Sequence, residues 1–249
     1  MKAVRWHNAR DVRVEEVPEP SIKEGMVKIK VEWCGICGSD LHEYLIGPIS
    51  IPVEEAHPIT GKKAPIIMGH EFSGEVIQIG KGVNKVSVGD LVTVEPIIYC
   101  GSCAACLNGY YNICEQRGFY GLTEDGGFSE YVVVKEQAVH KLPDNISSEA
   151  GALIEPAAVA FHAVRQSRLK LGDTCVIFGA GPIGLLLLQA CKAAGASKII
   201  SVEISEERLS LAEKMGATHA IHPLKENTIE TIQKITAGGA NVCFEATGA

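Results

Sequence analysis

The chain has 249 residues, with 23 Lys and Arg against 30 Asp and Glu, a net charge of −7 at pH 7. At 46% hydrophobic and 21% charged residues it has the composition to bury a core, which excludes an intrinsically disordered chain. The acidic balance, with no block of Lys and Arg, argues against nucleic acid or an anionic membrane as a partner.

The opening stretch, MKAVRWHNARDVRVEEV, mixes charges with strand formers and lacks the apolar centre of a signal peptide, so a cytoplasmic protein is expected. Val27, Ile29, Val31 and Trp33 alternate with Lys28, Lys30 and Glu32, the period of a half-buried strand. A long connection runs from about Leu41 to Met68. GEVIQIG, LVTVEP and EYVVVK read as further strands, separated by turn-like GKGVNK and VGD. These features predict a β-rich domain over 1–155, with a Cys-rich lobe at 96–117 as an excursion. Beyond it the pattern changes. TCVIF reads as a buried strand, PIGLLLLQACKAA as a helix closed by Gly195, and KIISVE as a second strand. Ser205 can cap a helix that ends at Gly216. HAIH, a helix around Ile229 to Ile235, and NVCFEA continue the alternation. This βαβ repetition over 156–249 predicts a parallel sheet. The uncharged run from Thr174 to Cys191 approaches the length of a membrane span, but GAGPIG breaks it into strand, turn and helix.

Nine cysteines, an odd number with no secretion signal, argue against a disulfide framework. Cys100-x2-Cys103-x2-Cys106-x7-Cys114 places four thiols in one loop, with Gly101 and Gly109 for tight turns. Four thiolates suit a tetrahedral Zn²⁺ with no open position, hence a structural ion. An iron–sulfur cluster or free thiols are the rival readings. Cys175, Cys191 and Cys243 sit in apolar surroundings and read as small core residues.

A second constellation joins Cys37-Gly38-Ser39-Asp40-Leu41-His42 to Gly69-His70-Glu71. A catalytic zinc needs three protein ligands and an open position, and Cys37 and His70 suit two of them. Ser39 and His42 offer a proton path, and Asp40 could orient a metal-bound imidazole. Glu155 lies in the apolar ALIEPAAVAFHAV, where an unpaired carboxylate is costly and a cation welcome. An ordinary ion pair or a helix start before Pro156 is its plainer reading, and Glu71 is the other carboxylate at hand.

The third signal is Gly179-Ala180-Gly181-Pro182-Ile183-Gly184, which follows a strand and opens a helix. Glycines at this spacing permit the turn, a close approach of pyrophosphate, and tight helix–strand packing. Glu203 ends the next strand, where a carboxylate binds a ribose 2′-OH and repels a 2′-phosphate, favouring NAD over NADP. Arg208 lies one turn further on and is either near the adenine or solvated. Glu245-Ala246-Thr247-Gly248 is either a cofactor-facing turn or a plain strand end.

Taken together, CGICGSDLH, GHEFSGEV, the four-Cys lobe, the IEP segment and GAGPIG followed by VEIS resemble the zinc-containing medium-chain alcohol and polyol dehydrogenases, in family order from Met1 to Ala249. The resemblance implies a GroES-like β-rich catalytic domain followed by the first part of a Rossmann doubly wound parallel sheet. It implies two Zn²⁺ per chain and NAD as cofactor. Cys37, His70 and Glu155 fall on the catalytic zinc, with Glu71 an alternative or exchanging ligand. Cys100, Cys103, Cys106 and Cys114 fall on the structural zinc, and Ser39 and His42 on the proton relay. Gly179, Gly181, Pro182, Ile183, Gly184, Glu203 and Arg208 fall on cofactor-contact positions. The connection GPISIPVEEAHPITGKKAPIIMGHEFSG is most similar to the branch acting on small vicinal diols and hydroxyketones such as butanediol and acetoin. A sorbitol-type polyol or threonine dehydrogenase is the alternative, and so is a non-catalytic zinc- and nucleotide-binding chain. The family's chains continue past this point, so the resemblance also implies an incomplete Rossmann sheet, and a homo-oligomer for the full-length form.

Overall fold

The computed structural model describes residues 1–248, in two compact units, Met1–Glu155 and Pro156–Ala249. In the first, β1 (Lys2–Asn8) and β2 (Asp11–Glu16) form an antiparallel hairpin. β3 (Met26–Gly35) is followed by α1 (Gly38–Ile46) and a long connection to β4 (Ile66–Ile67), β5 (Glu71–Ile79) and β6 (Leu91–Val94). β7 (Ile97–Ile98) and β8 (Gly118–Phe119) pair antiparallel and close the base of the Cys-rich lobe, which carries the short α2 (Ala104–Leu107). β9 (Tyr131–Lys135), β10 (Val139–Lys141) and α3 (Ser148–Gly151) complete the unit. The main sheet is antiparallel in the order β10-β6-β5-β3-β9. Val27, Ile29, Phe72, Val76, Val92 and Val134 form its core. A smaller core gathers Trp6, Ile51, Ile66, Met68 and Leu122.

Two expectations are revised here. The alternation along β3 does not persist, because the register against β5 shifts between Lys28 and Ile29 and again between Val31 and Trp33. A bulge turns the following side chains to the other face, and Trp33 is left 50% exposed. The long connection, read from sequence without an element of its own, opens with α1, which carries the residues of most chemical interest.

In the second unit α4 (Ile154–Ser167), whose first turn straddles the boundary, leads into β11 (Thr174–Phe178). α5 (Pro182–Ala193), β12 (Lys198–Val202), α6 (Glu206–Met215), β13 (His219–Ile221), α7 (Thr228–Thr236) and β14 (Val242–Glu245) follow. All pairs are parallel, in the order β13-β12-β11-β14. β11 is covered on both faces, so Cys175, Val176 and Ile177 are consecutively buried. Ser205 accepts the Arg208 N–H as helix cap, and Gly216 at φ 114° ends α6 in the left-handed region. Numbered within the unit, the strand order is 3-2-1-4. The neighbours of β11 therefore leave in opposite directions, and the turn after β11 sits at the switch point where such sheets bind ligands.

Candidate metal centres and cofactor turn

In the lobe, the four sulfurs of Cys100, Cys103, Cys106 and Cys114 converge, with every pair of ligand atoms within 4.8 Å. Cys100 Sγ is 3.9 Å from Cys106 Sγ and 3.5 Å from Cys114 Sγ, and Cys103 Sγ is 3.9 Å from Cys114 Sγ. A disulfide requires ~2.05 Å. A tetrahedron with metal–sulfur bonds of ~2.3 Å has edges of about 3.8 Å, which these distances approach. Backbone N–H groups point at the sulfurs: Ser102 (3.4 Å) and Cys103 (3.3 Å) donate to Cys100, and Cys100 and Gln116 (both 3.4 Å) donate to Cys114. The N–H groups of Ser102 and Cys103 bring the Cys100 thiol down to about 6. Loss of hydration pushes Cys106 up to about 12. The donor set thus fits a tetrahedral Zn²⁺.

The second centre is assembled by α1 and the β4–β5 junction. Cys37 caps α1, and Asp40 Oδ2 accepts the Cys37 N–H at 2.9 Å, fixing the first turn. Gly69, at φ 89°, bends the chain just before His70, and Glu71 opens β5. Gly35 lies directly across from Glu71, and a Cβ there would fall 2.3 Å from Glu71 Oε2. The missing side chain leaves room for the carboxylate. One ligand atom each of Cys37, His70 and Glu71 lie within 4.8 Å of one another. Ser39 Oγ is 3.3 Å from His70 Nε2. Asp40 Oδ1 is 3.7 Å from His70 Nδ1, too far for a hydrogen bond, and both atoms are buried without a partner.

Burial pushes Cys37, Asp40 and Glu71 above their ordinary pKa values, against the pull of His70 on the two carboxyls. Glu155, half-buried in the first turn of α4, is raised to about 7, first by burial, with Glu71 and Asp40 adding to it and His70 opposing. A crowd of buried anion-forming groups with orphaned polar atoms is what a cation relieves, and thiol, imidazole and carboxylate are zinc's donors. Glu71, expected as the alternative, lies inside the group of three. Glu155, expected as a ligand, lies outside it and faces His70, Glu71 and Asp40 electrostatically.

The third site belongs wholly to the second unit. Gly179 takes φ 93°, and a Cβ there would press on Ala246 O at 2.8 Å. A Cβ on Gly181 would meet nothing, which leaves backbone open to a ligand at the start of α5. One on Gly184 would lie 2.0 Å from Gly179 O. Pro182 opens α5, and Ile183 packs against the core. Glu203, 7% exposed, does more than face a ligand. Its Oε2 accepts the Ala180 N–H at 2.8 Å, and Oε1 accepts those of Ile204 (2.8 Å) and Ser205 (3.0 Å), tying two turns together. Burial raises its carboxyl, but those N–H groups and Arg208 outweigh it, and the net pKa lies below the ordinary value. Arg208 Nη1 stands 3.9 Å from Glu203 Oε2, on the exposed side. At the end of β14, Glu245 Oε1 accepts the Thr247 N–H at 2.6 Å, and the Ala246 N–H donates to Phe178 O at the end of β11.

Known proteins carry the same architecture. The alcohol dehydrogenase GroES-like domain matches residues 23–144, and the zinc-binding dehydrogenase domain matches 182–249. The (R,R)-butanediol dehydrogenase of Bacillus subtilis is 54% identical over 249 residues, 100% of this chain and 71% of that protein. The chain belongs to the zinc-type alcohol dehydrogenase family. It is an oxidoreductase chain with a GroES-like domain and the start of the nucleotide-binding domain. Another family member, the (R,R)-butanediol dehydrogenase of Neisseria gonorrhoeae, is 44% identical over 251 residues, 99% of this chain and 71% of that protein. The crystal structure of 2R,3R-butanediol dehydrogenase from Bacillus subtilis superposes with a TM-score of 0.93 at 55% identity, covering 100% of this chain and 71% of that one.

Three residues of this zinc-type dehydrogenase chain escaped the motif reading. Gly35 makes space for Glu71, and Cys34, half-buried with its thiol pushed up by loss of hydration, lines the same corner. Glu43, 2% exposed, is the third. The Gly35–Glu71 pair becomes visible only once strand register is known. A Glu at the sixth position after Cys37, on an otherwise apolar-ended helix, was the available signal for Glu43.

Proposed function

We propose that the chain transfers hydride between NAD(H) and a small vicinal diol or hydroxyketone, namely 2,3-butanediol, acetoin or diacetyl. The observation that carries this reading is the convergence of Cys37, His70 and Glu71, with Ser39 beside His70, in a chain 54% identical to a butanediol dehydrogenase. Cys37 and His70 hold a catalytic zinc with Glu71 or Glu155 as third ligand, and Cys100, Cys103, Cys106 and Cys114 hold a structural one. The catalytic ion supplies Lewis acidity toward a substrate oxygen. Ser39, between His70 and solvent-exposed His42 one turn along α1, receives the proton of the alcohol and passes it outward. Asp40, through the Cys37 N–H, keeps the first turn of α1 in place while that happens. Glu203 selects NAD, since its carboxylate accepts hydroxyls and repels an extra phosphate. The division proposed is a catalytic domain at 1–155 and a cofactor domain at 156–249. The partner is a small molecule rather than nucleic acid or membrane, in the cytoplasm. No helix among the described residues is long and apolar enough to cross a membrane.

The test is NADH oxidation by the zinc-loaded protein on acetoin and diacetyl, beside fructose and NAD reduction with sorbitol and threonine. Preference for acetoin or diacetyl is expected. Faster turnover of sorbitol or threonine would move the substrate to those classes, and NADH binding without turnover of any substrate would make the chain a non-catalytic binder.

A further inference from the structure

Glu43 is the most deeply buried carboxylate of the first unit, and nothing in the proposed chemistry uses it. No ion pair reaches it among the described residues. Instead three consecutive backbone N–H groups do: Ile49 donates to Oε2 at 3.0 Å, and Ser50 and Ile51 donate to Oε1, the latter at 3.2 Å. The Glu43 backbone oxygen accepts the Trp6 indole N–H at 2.8 Å and the Gly47 N–H at 3.1 Å. A buried carboxylate is costly unless so satisfied, and charge-assisted bonds of this kind are the strong ones.

The consequence runs in both directions along the chain. α1, only nine residues long, is too short to hold its shape unaided, and its N-cap is Cys37. The segment gripped by Glu43 ends at Ile51, 3% exposed, which packs with Trp6, Ile66 and Met68. Met68 stands two residues before His70. One carboxylate therefore clamps the end of α1 to the core from which His70 emerges, and so sets the spacing between Cys37 and His70.

We infer that Glu43 is a positioning residue for the Cys37–His70–Glu71 metal centre, acting through the Ile49–Ile51 backbone and the Trp6 core; the inference rests on reading that centre as the catalytic zinc site. Two perturbations reach the clamp from opposite sides. Glu43→Gln replaces an acceptor oxygen with an NH₂ that faces N–H donors. Gly47→Ala adds a methyl 2.4 Å from Glu43 O and 2.6 Å from Oε2.

The measurement is metal release to a chelator, together with the visible spectrum of the Co²⁺-loaded protein, its bands assigned by their loss in Cys37→Ser. In both variants the four-Cys metal is expected to behave as in the parent. The second metal is expected to leave at least about ten-fold faster, with shifted bands, as for other residues that orient metal ligands. Glu43→Asp, charged but shorter, should fall between. Parent-like release and bands in whichever variants fold, even with lowered melting temperature, would overturn the inference and leave Glu43 a stability residue. A parent protein that binds only the four-Cys metal would overturn the catalytic-site reading itself and the inference with it.

Discussion

Replacing Gly35 with Ala separates the metal-centre reading from simple packing. The new Cβ would lie 2.3 Å from Glu71 Oε2, 3.2 Å from its Cβ and 3.4 Å from its Cδ. A carbon–oxygen contact settles near about 3.3 Å, so the carboxylate must retreat by roughly 1 Å. Oε2 is the free end of a flexible side chain, and Gly35 does not occupy the left-handed region, so the backbone accepts alanine. The stability cost should sit at the low end for overpacking, about 1 kcal/mol. In a chain of this size that lowers the melting temperature by roughly 2–4 °C. The effect on the metal should be larger. Moving one donor out of the Cys37–His70–Glu71 group should weaken zinc binding there by roughly 10–100-fold, or about 1.4–2.8 kcal/mol. Zinc affinity by competition with a chelator, with thermal unfolding on the same samples, gives both numbers. Unchanged affinity for the second zinc, alongside the expected small loss of stability, would refute the placement of Glu71 in the centre.

Cys103→Ser should release one zinc per chain and leave the other, by elemental analysis after dialysis, because the lobe's four sulfurs have no substitute donor. Glu203→Gln should weaken NAD binding in calorimetry and flatten the acid limb of unfolding. The native carboxyl lies below its ordinary value of 4.5, so its contribution to stability is present above that pH and is lost as pH falls through the native pKa. Urea midpoints measured against pH should show that loss in the parent and not in the variant. Leu188→Ala, at a fully buried position between α5 and the sheet, should cost about 2–5 kcal/mol in denaturant unfolding.

What could be read from the chain alone lies within short stretches. The four-Cys lobe spans fifteen residues, and its sulfurs meet because turns at that range have few ways to close. The glycine turn before α5 and the caps at Ser205 and Gly216 are likewise settled by their own steric and hydrogen-bonding preferences. The parallel order of the second unit follows from strands and helices in alternation. Tertiary structure decided the rest. Cys37 and His70 are 33 residues apart, and nothing local says that their side chains meet; the pairing of β3 with β5 and the core around Trp6 bring them together. Whether Glu71 or Glu155 stands closer depends on the cross-strand position of Gly35, where a shift of one residue would turn Glu71 to the other face. The same register slips that expose Trp33 broke an alternation that looked regular in sequence. Side-chain chemistry determined which groups are fit to bind metal and cofactor, while strand register and the packing of the core determined which of them come together.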